Sequence, residues 1–232
     1  MDLESGAYHR NLEKATGDPD ELRSLIREGE HQEQDFKFRI DSNLKIARTL
    51  SAFANTDGGR LLIGVKDNGR IAGIDPEEEY FMIEGAAELY CEPKVKFSFE
   101  VFELDDRLVL LIDVPPSDER PHRVKERDGS KLAYIRQADE NFVANKVLVQ
   151  FMLDKDPDVQ RKNLVAYGPA ERSLFDYLSQ NEDISVSKFT RIAQIKNYKA
   201  VKILALFLKW EVIEYKANDK GIRFRLKEDA KA

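Results

Sequence analysis

The feature that most constrains the fold is a compact turn from Asn55 to Gly59, which separates a helical pattern from an apolar run. Before the turn, small and apolar residues recur at helical spacing from Leu44 to Ala54, behind the capping sequence Asp41 to Asn43. After it, Leu61 to Val65 is continuously apolar, which is typical of a strand buried on both faces. The stretch therefore predicts a helix packed on a central strand of an α/β sheet.

Charged side chains lie at both ends of this unit. Residues Gln32 to Phe38 alternate as a strand, so Asp35 and Lys37 share one face. Glu30 precedes them, and Asp67 follows the apolar run in a predicted hairpin turn. Carboxylates around a lysine can hold a divalent cation beside a phosphate, or form an ordinary surface ion pair. Spacing alone favours the ion pair.

The turn itself allows two interpretations. Gly58 and Gly59 would let backbone N–H groups approach a ligand closely, with Asn55 and Thr56 completing a ligand turn. They would equally allow the positive φ values of a tight structural connection. The sequence contains neither a P-loop nor a dinucleotide-binding glycine pattern, so the structural interpretation is favoured.

These residues resemble the Schlafen-type AlbA domain, also described as a divergent AAA domain. Its pattern is an acid, four residues, a second acid and Phe-Lys, then A-F-A-N-T-x-G-G after a helix, and finally G-V, an acid and a Gly. The matching positions here are Glu30, Asp35, Phe36, Lys37, Ala52 to Thr56, Gly58, Gly59, Gly64, Val65, Asp67 and Gly69. Later matches are Val114, Pro115, Ser117, Arg120, Pro121, His122, Tyr134 and Arg136. The resemblance covers about residues 20 to 150 and implies an AlbA-like mixed-sheet domain of α/β (α+β) class.

Composition limits the class of protein. Of 232 residues, 42% are hydrophobic and 34% charged, and no apolar run approaches the roughly 20 residues that cross a bilayer. The N-terminus has no signal-peptide pattern, and one cysteine, Cys91, excludes an intramolecular disulfide. We therefore expect a cytoplasmic protein with no membrane partner.

The net charge of −6 is unevenly distributed. From Asp156 onward there are 15 Lys and Arg against 11 Asp and Glu, a charge of +4, so the preceding part carries −10. Between Lys188 and Lys227 there are 11 basic and 3 acidic residues. Positive charge concentrated on a small module is typical of nucleic-acid binders, although a solvated lysine-rich surface is also common.

The polar stretch Asp154 to Asp158 predicts a domain boundary. We expect an N-terminal helical extension over residues 1–19, an AlbA-like domain over 20–154 closed by a helix from Phe142 to Leu153, a linker over 155–169 and a second domain over 170–232. The patterns in the last domain predict helices over 170–180, 184–194 and 196–210, then strands over 212–216 and 222–226. This order resembles a winged helix-turn-helix domain.

The winged-helix resemblance implies a set of nucleic-acid contacts. Lys196, Lys199 and Lys202 recur at a spacing of three on the recognition helix, and Asn197 and Tyr198 lie at its start, where side chains reach base edges. The wing would contribute Lys220, Arg223 and Arg225. A winged-helix module that binds protein instead remains an alternative.

The favoured hypothesis is a nucleic-acid-binding protein, a bacterial-type transcriptional regulator that binds DNA as a homodimer. The AlbA-like domain would be a second binding, sensing or dimerisation module, and no cofactor is assigned. Some Schlafen relatives are metal-dependent ribonucleases, which implies an alternative: Glu30, Asp35, Lys37 and Asp67 as catalytic residues, with Mg²⁺ or Mn²⁺ on the three acids. Asp35 replaces the usual Glu of that pattern. Binding of a nucleotide such as ATP at the glycine turn is a third hypothesis.

Overall fold

The computed structural model describes Leu12, residues 15–154 and residues 168–228. Most of the predicted N-terminal extension and linker lie outside these residues. The chain divides into two compact units, Met1–Val143 and Ala144–Ala232. Within the described ranges, none of the helices combines the length and apolarity that a membrane span requires.

The first unit is an α/β arrangement with two sheets. The four-stranded sheet has the order β1-β2-β5-β4, in which β1 and β2 are parallel and the other pairs antiparallel. The second sheet, β3-β6-β7-β8, is antiparallel. The predicted mixed-sheet α/β class is confirmed. The elements are α1 Pro19–Glu28, β1 Gln34–Lys37, α2 Asn43–Asn55, β2 Gly59–Ile63, α3 Pro76–Gly85, a π-helical turn Ala86–Tyr90, β3 Cys91–Glu92, β4 Ser98–Leu104, β5 Arg107–Val114, β6 Arg123–Lys125, β7 Lys131–Gln137 and β8 Glu140–Val143.

Strand β2 is buried on both faces, as its continuous apolar run predicts. Leu61 and Ile63 belong to the core that contains Phe53 of α2. Leu62 belongs to the opposite core, with Leu22 of α1. Helices therefore cover both faces of the first sheet, and the ends of β1 and β2 are held in fixed positions.

Local signals explain where the helices begin. The Asp18 side chain accepts the Asp20 N–H and Pro19 is the first residue of α1, while Ser42 accepts the Lys45 N–H at the start of α2. Asp75 caps α3 in the same way. The Asp75-Pro76 pair predicts a helix that runs to about Tyr90. The chain does stay helical beyond Gly85, but as a π-helical turn.

The hairpin predicted after β2 is only partly formed. Gly69 has φ +76°, and Lys66 N–H donates to Arg70 O, which closes the turn. A single bridge, Val65 to Ile71, replaces the expected return strand. The N–H groups of Ala72 and Gly73 still donate to Gly64 O, and the N–H of Ile74 then donates to Leu108 O of β5.

The second unit begins earlier than the predicted boundary. Residues predicted as the first turn of a helix over 142–153 lie partly in β8, and Asn145 caps the helix by accepting the N–H groups of Val147 and Leu148. This helix contacts the longest helix of the C-terminal unit. The elements of the unit are α4 Lys146–Leu153, α5 Pro169–Leu178, α6 Val186–Ile192, α7 Asn197–Lys209, β9 Ile213–Asn218 and β10 Gly221–Leu226.

The hairpin β9–β10 is joined to the chain segment that precedes α6. Ile184 and Phe224 exchange backbone hydrogen bonds of 2.8 and 2.9 Å, which adds a one-residue bridge to the hairpin. Both side chains are fully buried, as are Phe189 of α6 and Leu204 of α7. The three helices followed by a hairpin occur in the predicted order.

Candidate functional site

A cluster of charged side chains lies at β1. Lys37 Nζ is 2.6 Å from Asp35 Oδ2 and donates to the carbonyl of Phe36 at 2.7 Å. Arg136 Nη2 lies 3.3 Å from the other oxygen, Asp35 Oδ1. Strand alternation predicts the first ion pair, while the second depends on the position of β7. Both oxygens of this buried carboxylate therefore have a cationic partner.

Arg136 is 1% exposed, and each nitrogen of its guanidinium donates a hydrogen bond. Its guanidinium donates to His31 O at 3.2 Å, to Gln34 O at 3.0 Å and to Asn141 Oδ1 at 3.3 Å. Its Cζ also lies 4.9 Å from the centre of the Phe53 ring. A buried charge is tolerated when its donors are satisfied in this way. Arg136 is thus a clamp between β7 and the segment that leads into β1.

Glu30 completes the cluster. Its Oε1 accepts the N–H of Phe36 at 3.0 Å. Burial raises the pKa of Glu30, and a hydrogen bond to the neighbouring carboxyl of Asp35 raises it further, against the lowering effect of the Phe36 N–H and of Lys37. Glu30 and Asp35 are therefore a carboxyl pair that shares one environment, which the sequence alone does not show.

Asp67 does not complete a three-acid metal site with Glu30 and Asp35. It is exposed in the 66–69 turn, and within residues 15–154 and 168–228 no group of three or more His, Cys, Asp or Glu side chains could hold a metal ion. Asp35 is committed to Lys37 and Arg136, and Glu30 to a backbone N–H. The side chains present therefore do not fit the Mg²⁺ or Mn²⁺ site that the family resemblance implies as an alternative.

The Asn55 side chain, predicted to belong to a ligand turn, is saturated by the protein. Asn55 is 3% exposed; its amide donates to His122 O at 2.9 Å and Tyr134 O at 2.8 Å, and its Oδ1 accepts the His122 N–H at 2.8 Å. Thr56 Oγ1 donates to Ala52 O. These contacts join α2 to the second sheet and leave neither side chain directed at a ligand.

Packing also accounts for the two glycines of the turn. A Cβ on Gly58, which has φ +80°, would lie 2.8 Å from both Pro116 Cδ and Val114 O. A Cβ on Gly59 would lie 2.3 Å from the Phe53 ring. Glycine is thus required at both positions because other residues of the same chain pack closely against the turn.

Two further residues of the family pattern are buried and hydrogen-bonded within the protein. The His122 ring is bonded to Pro93 O at 2.8 Å through Nδ1 and to Ser117 Oγ at 2.7 Å through Nε2. The hydroxyl of Tyr134 donates to Glu126 Oε1 at 2.7 Å, and burial raises the Tyr134 pKa to about 12. Neither side chain is placed as an exposed general base.

Exposed side chains surround the first turn of α7, and the three lysines among them lie along one side of the helix. Lys196, Lys199 and Lys202 are exposed, as are Asn197 and Tyr198, the latter at 64%. Among the described residues, these three lysines form no ion pair. The opposite face is buried through Val201, Leu204 and Leu208, as the helical spacing predicted. We call the five exposed residues the α7 ridge.

The three basic hairpin residues assigned to a wing differ in whether a carboxylate of the protein already binds them. Lys220 is exposed at the β9–β10 turn. Arg223 donates twice to Asp183 Oδ1, at 2.9 and 2.7 Å, and Arg225 donates to Glu214 Oε1 at 2.5 Å. The two arginines thus already bind carboxylates, which sequence reasoning did not predict.

An exposed aromatic ring was not predicted. Strand alternation predicts Phe38 on the same side as Phe36, but Phe38 is 48% exposed whereas Phe36 is 1% exposed. Arg39 Cζ and Lys66 Nζ lie 5.9 and 5.3 Å from the centre of the Phe38 ring. The sequence signal was present as K-F-R, an aromatic residue between two basic ones at a strand end.

Comparison with solved structures finds similar proteins at low identity. The protein DIP2311 of Corynebacterium diphtheriae is 19% identical with a TM-score of 0.42, over 55% of this chain and 30% of that one. The N-terminal domain of a protein related to the ATP-dependent DNA helicase RecG, from Nitrosomonas europaea, is 22% identical with a TM-score of 0.40, over 50% of this chain and 87% of that one. The chain thus spans less than a third of the first of these proteins.

No curated protein matches the sequence. The family described as Schlafen, AlbA_2 matches residues 30–145, which is half of the 232-residue chain and contains the whole charged cluster at β1. This chain therefore belongs to the Schlafen AlbA_2 family.

Proposed function

We propose that this protein binds nucleic acid and is a transcriptional regulator whose C-terminal unit contacts duplex DNA. The observation that carries the proposal is the α7 ridge. Its lysines are exposed and without carboxylate partners among the described residues, so they keep their charge available for phosphates.

The order of elements supports a winged-helix interpretation of this unit. Helices α5, α6 and α7 are followed by the β9–β10 hairpin, and the Ile184–Phe224 bridge adds a short strand before α6. In such domains the third helix enters the major groove. Lysines of the α7 ridge would then meet phosphates, while Asn197 and Tyr198 at the start of the helix would reach base edges.

The hairpin would contribute less than the sequence suggests. Lys220 is exposed and has no ion-pair partner within residues 15–154 and 168–228, but Arg223 and Arg225 would have to leave Asp183 and Glu214 before they reach a phosphate. We therefore assign the two arginines to holding the hairpin and Lys220 to contacting the backbone. We further propose that the regulator acts in the cytoplasm as a homodimer on a two-fold operator.

The test is binding of random-sequence duplex DNA, measured by fluorescence anisotropy over a series of salt concentrations. The double variant Lys199→Ala/Lys202→Ala should weaken binding and reduce the slope of log K against log salt by about 1.8, since each phosphate contact contributes about 0.9. The matched control is Lys45→Ala/Lys131→Ala, which removes the same charge from the first unit. Equal slopes in the two double variants would refute the proposal.

A metal-dependent ribonuclease remains the second candidate, because the Glu30–Asp35 carboxyl pair lies in the family region. It has less support, since both oxygens of Asp35 bind cationic side chains and Asp67 is not part of a ligand group. Incubation of structured RNA with Mn²⁺ tests it directly. Cleavage that disappears in Asp67→Asn would reverse the ranking. Nucleotide binding at the Asn55–Gly59 turn is less favoured still, because the Asn55 amide is saturated by backbone partners.

A further inference from the structure

An exposed aromatic ring with two cations close to it lies where β1 and β2 end. Phe38 follows directly after β1, and Lys66 lies in the turn beyond β2. Since β1 and β2 are parallel neighbours, their ends meet at one edge of the sheet and bring Lys66 to the ring of Phe38, at 5.3 Å. Arg39 approaches the same ring at 5.9 Å.

Phe38 is not part of the hydrophobic core, unlike Phe36. Phe36, two residues earlier, is 1% exposed and packs in the core with Leu22 and Leu62. Phe38 leaves 48% of its surface in solvent. Half of a large aromatic surface is therefore available to a ligand, at a place where the sheet holds the backbone.

The charges around the ring suit an anionic ligand with a flat apolar part. Arg39, Lys66 and Arg70 are exposed, whereas Lys37 is committed to Asp35. Asp67, in the same turn as Lys66, opposes them. Arg39 also interacts with the charges of Asp41 and Glu79. The cations close to the ring are thus Arg39 and Lys66, and acidic side chains lie near both of them.

We infer that Phe38, Arg39 and Lys66 bind single-stranded nucleic acid, with an unpaired base stacked on the Phe38 ring and the two cations on the flanking phosphates. Aromatic rings with neighbouring cations bind single strands in this way, because every unpaired base offers a flat face. A duplex keeps its bases stacked and would gain only the phosphate contacts. The choice of nucleic acid as the ligand class rests on the proposed function, but the site lies in the other unit.

The test uses a fluorescein-labelled oligothymidylate of about 12 nucleotides, within the range that single-strand sites cover. Phe38→Leu keeps an apolar side chain and removes the aromatic face, and should weaken binding by about tenfold, in the lower half of the range for one stacked base. Phe81→Leu is the matched control, because Phe81 is 49% exposed on α3 of the same unit. It should leave binding unchanged.

A direct readout comes from Phe38→Trp, which should retain binding. Its added emission should be quenched when the oligonucleotide stacks on it, whereas the emission of the natural tryptophan, Trp210, gives the background in the unchanged protein. Lys66→Ala should reduce the salt slope by about 0.7, the contribution of one single-strand phosphate contact. Asp67→Asn should strengthen binding by removing the opposing charge.

The outcomes separate this site from the α7 ridge. Phe38→Leu should weaken single-strand binding without affecting the duplex, and Lys199→Ala/Lys202→Ala should do the reverse. Equal single-strand affinity in Phe38→Leu and Phe81→Leu would overturn the stacking site, whatever the duplex result. Loss of duplex binding alone would refute only the proposed function of the C-terminal unit.

Discussion

Asn55 allows a test of whether the turn from Asn55 to Gly59 stabilises the fold or binds a ligand. Its amide links the end of α2 to the backbone of His122 and Tyr134, through hydrogen bonds of 2.8 to 2.9 Å. A further bond of 3.2 Å reaches Ser51 Oγ. Asn55→Ala removes all of these bonds at a site that is 3% exposed. We expect it to destabilise the first unit strongly.

The magnitude follows from the groups that lose their partner. The N–H of His122 and the carbonyl of Tyr134 lose the bond that Asn55 makes to them, at about 1–3 kcal/mol for each buried group left unsatisfied. The carbonyl of His122 keeps a bond from Ser51 Oγ at 2.9 Å, so it adds little. With the small cavity that remains, the free energy of unfolding should fall by about 3–5 kcal/mol.

Urea denaturation with pulsed hydrogen exchange and peptide mass spectrometry would measure this loss in the first unit separately. With a dependence on urea of about 2 kcal/mol/M, the midpoint for peptides from α2 and β7 should fall by about 1.5–2.5 M. The control is Asn181→Ala, since that exposed amide makes a bond to Tyr177 O and should contribute less than about 0.5 kcal/mol. A shift no larger than that of the control would refute the structural role and favour a ligand at the turn.

Three further predictions follow from single contacts. Glu30→Gln should raise the free energy of unfolding at pH 7 and have little effect below pH 4.5. Because the pKa of Glu30 is raised in the native state, the native state loses stability as the pH rises from 4.5 through the native-state pKa, and glutamine removes this loss. Thermal melts at pH 7 and below pH 4.5 test the sign of the change. Gly59→Ala should cost about 1–3 kcal/mol in urea denaturation, because the new Cβ meets the Phe53 ring at 2.3 Å. Asp183→Asn should speed hydrogen exchange in β9–β10 and tighten duplex binding, because it releases Arg223 towards phosphates.

The parts of the fold that the sequence predicted are those that depend on local chemistry. The cap at Ser42 and the start of α3 after Asp75 follow from side chains that bond to the nearest backbone N–H groups. The two-sided burial of β2 follows from its unbroken apolar run. Signals of this kind need no knowledge of distant residues.

The errors have a tertiary origin. The pattern over 142–153 was predicted as one helix, but residues Glu140–Val143 pair with β7, which is adjacent only through a turn at Ala138 with φ +56°. The helix that follows contacts α7, about 50 residues later in the chain. Similarly, alternation predicts Phe38 on the face of Phe36, but Phe38 lies just beyond the end of β1 and is 48% exposed. How far a strand face is covered depends on residues elsewhere in the chain.

The charged cluster at β1 depends both on a local strand pattern and on a tertiary contact, and this affects how nuclease activity should be tested. Asp35 and Lys37 meet because they are two residues apart on a strand, whereas Arg136 reaches Asp35 across a sequence separation of 101 residues. Asp35→Ala would therefore leave Arg136 buried with one partner fewer, and a loss of activity could follow from destabilisation alone. Asp67 is exposed and carries no such contact with the clamp. If Mn²⁺-dependent cleavage of RNA disappears in Asp67→Asn while the urea midpoint stays unchanged, the acidic residues take part in the cleavage reaction. If single-strand binding becomes tighter instead and cleavage is not affected, Asp67 acts only as a negative charge beside Phe38.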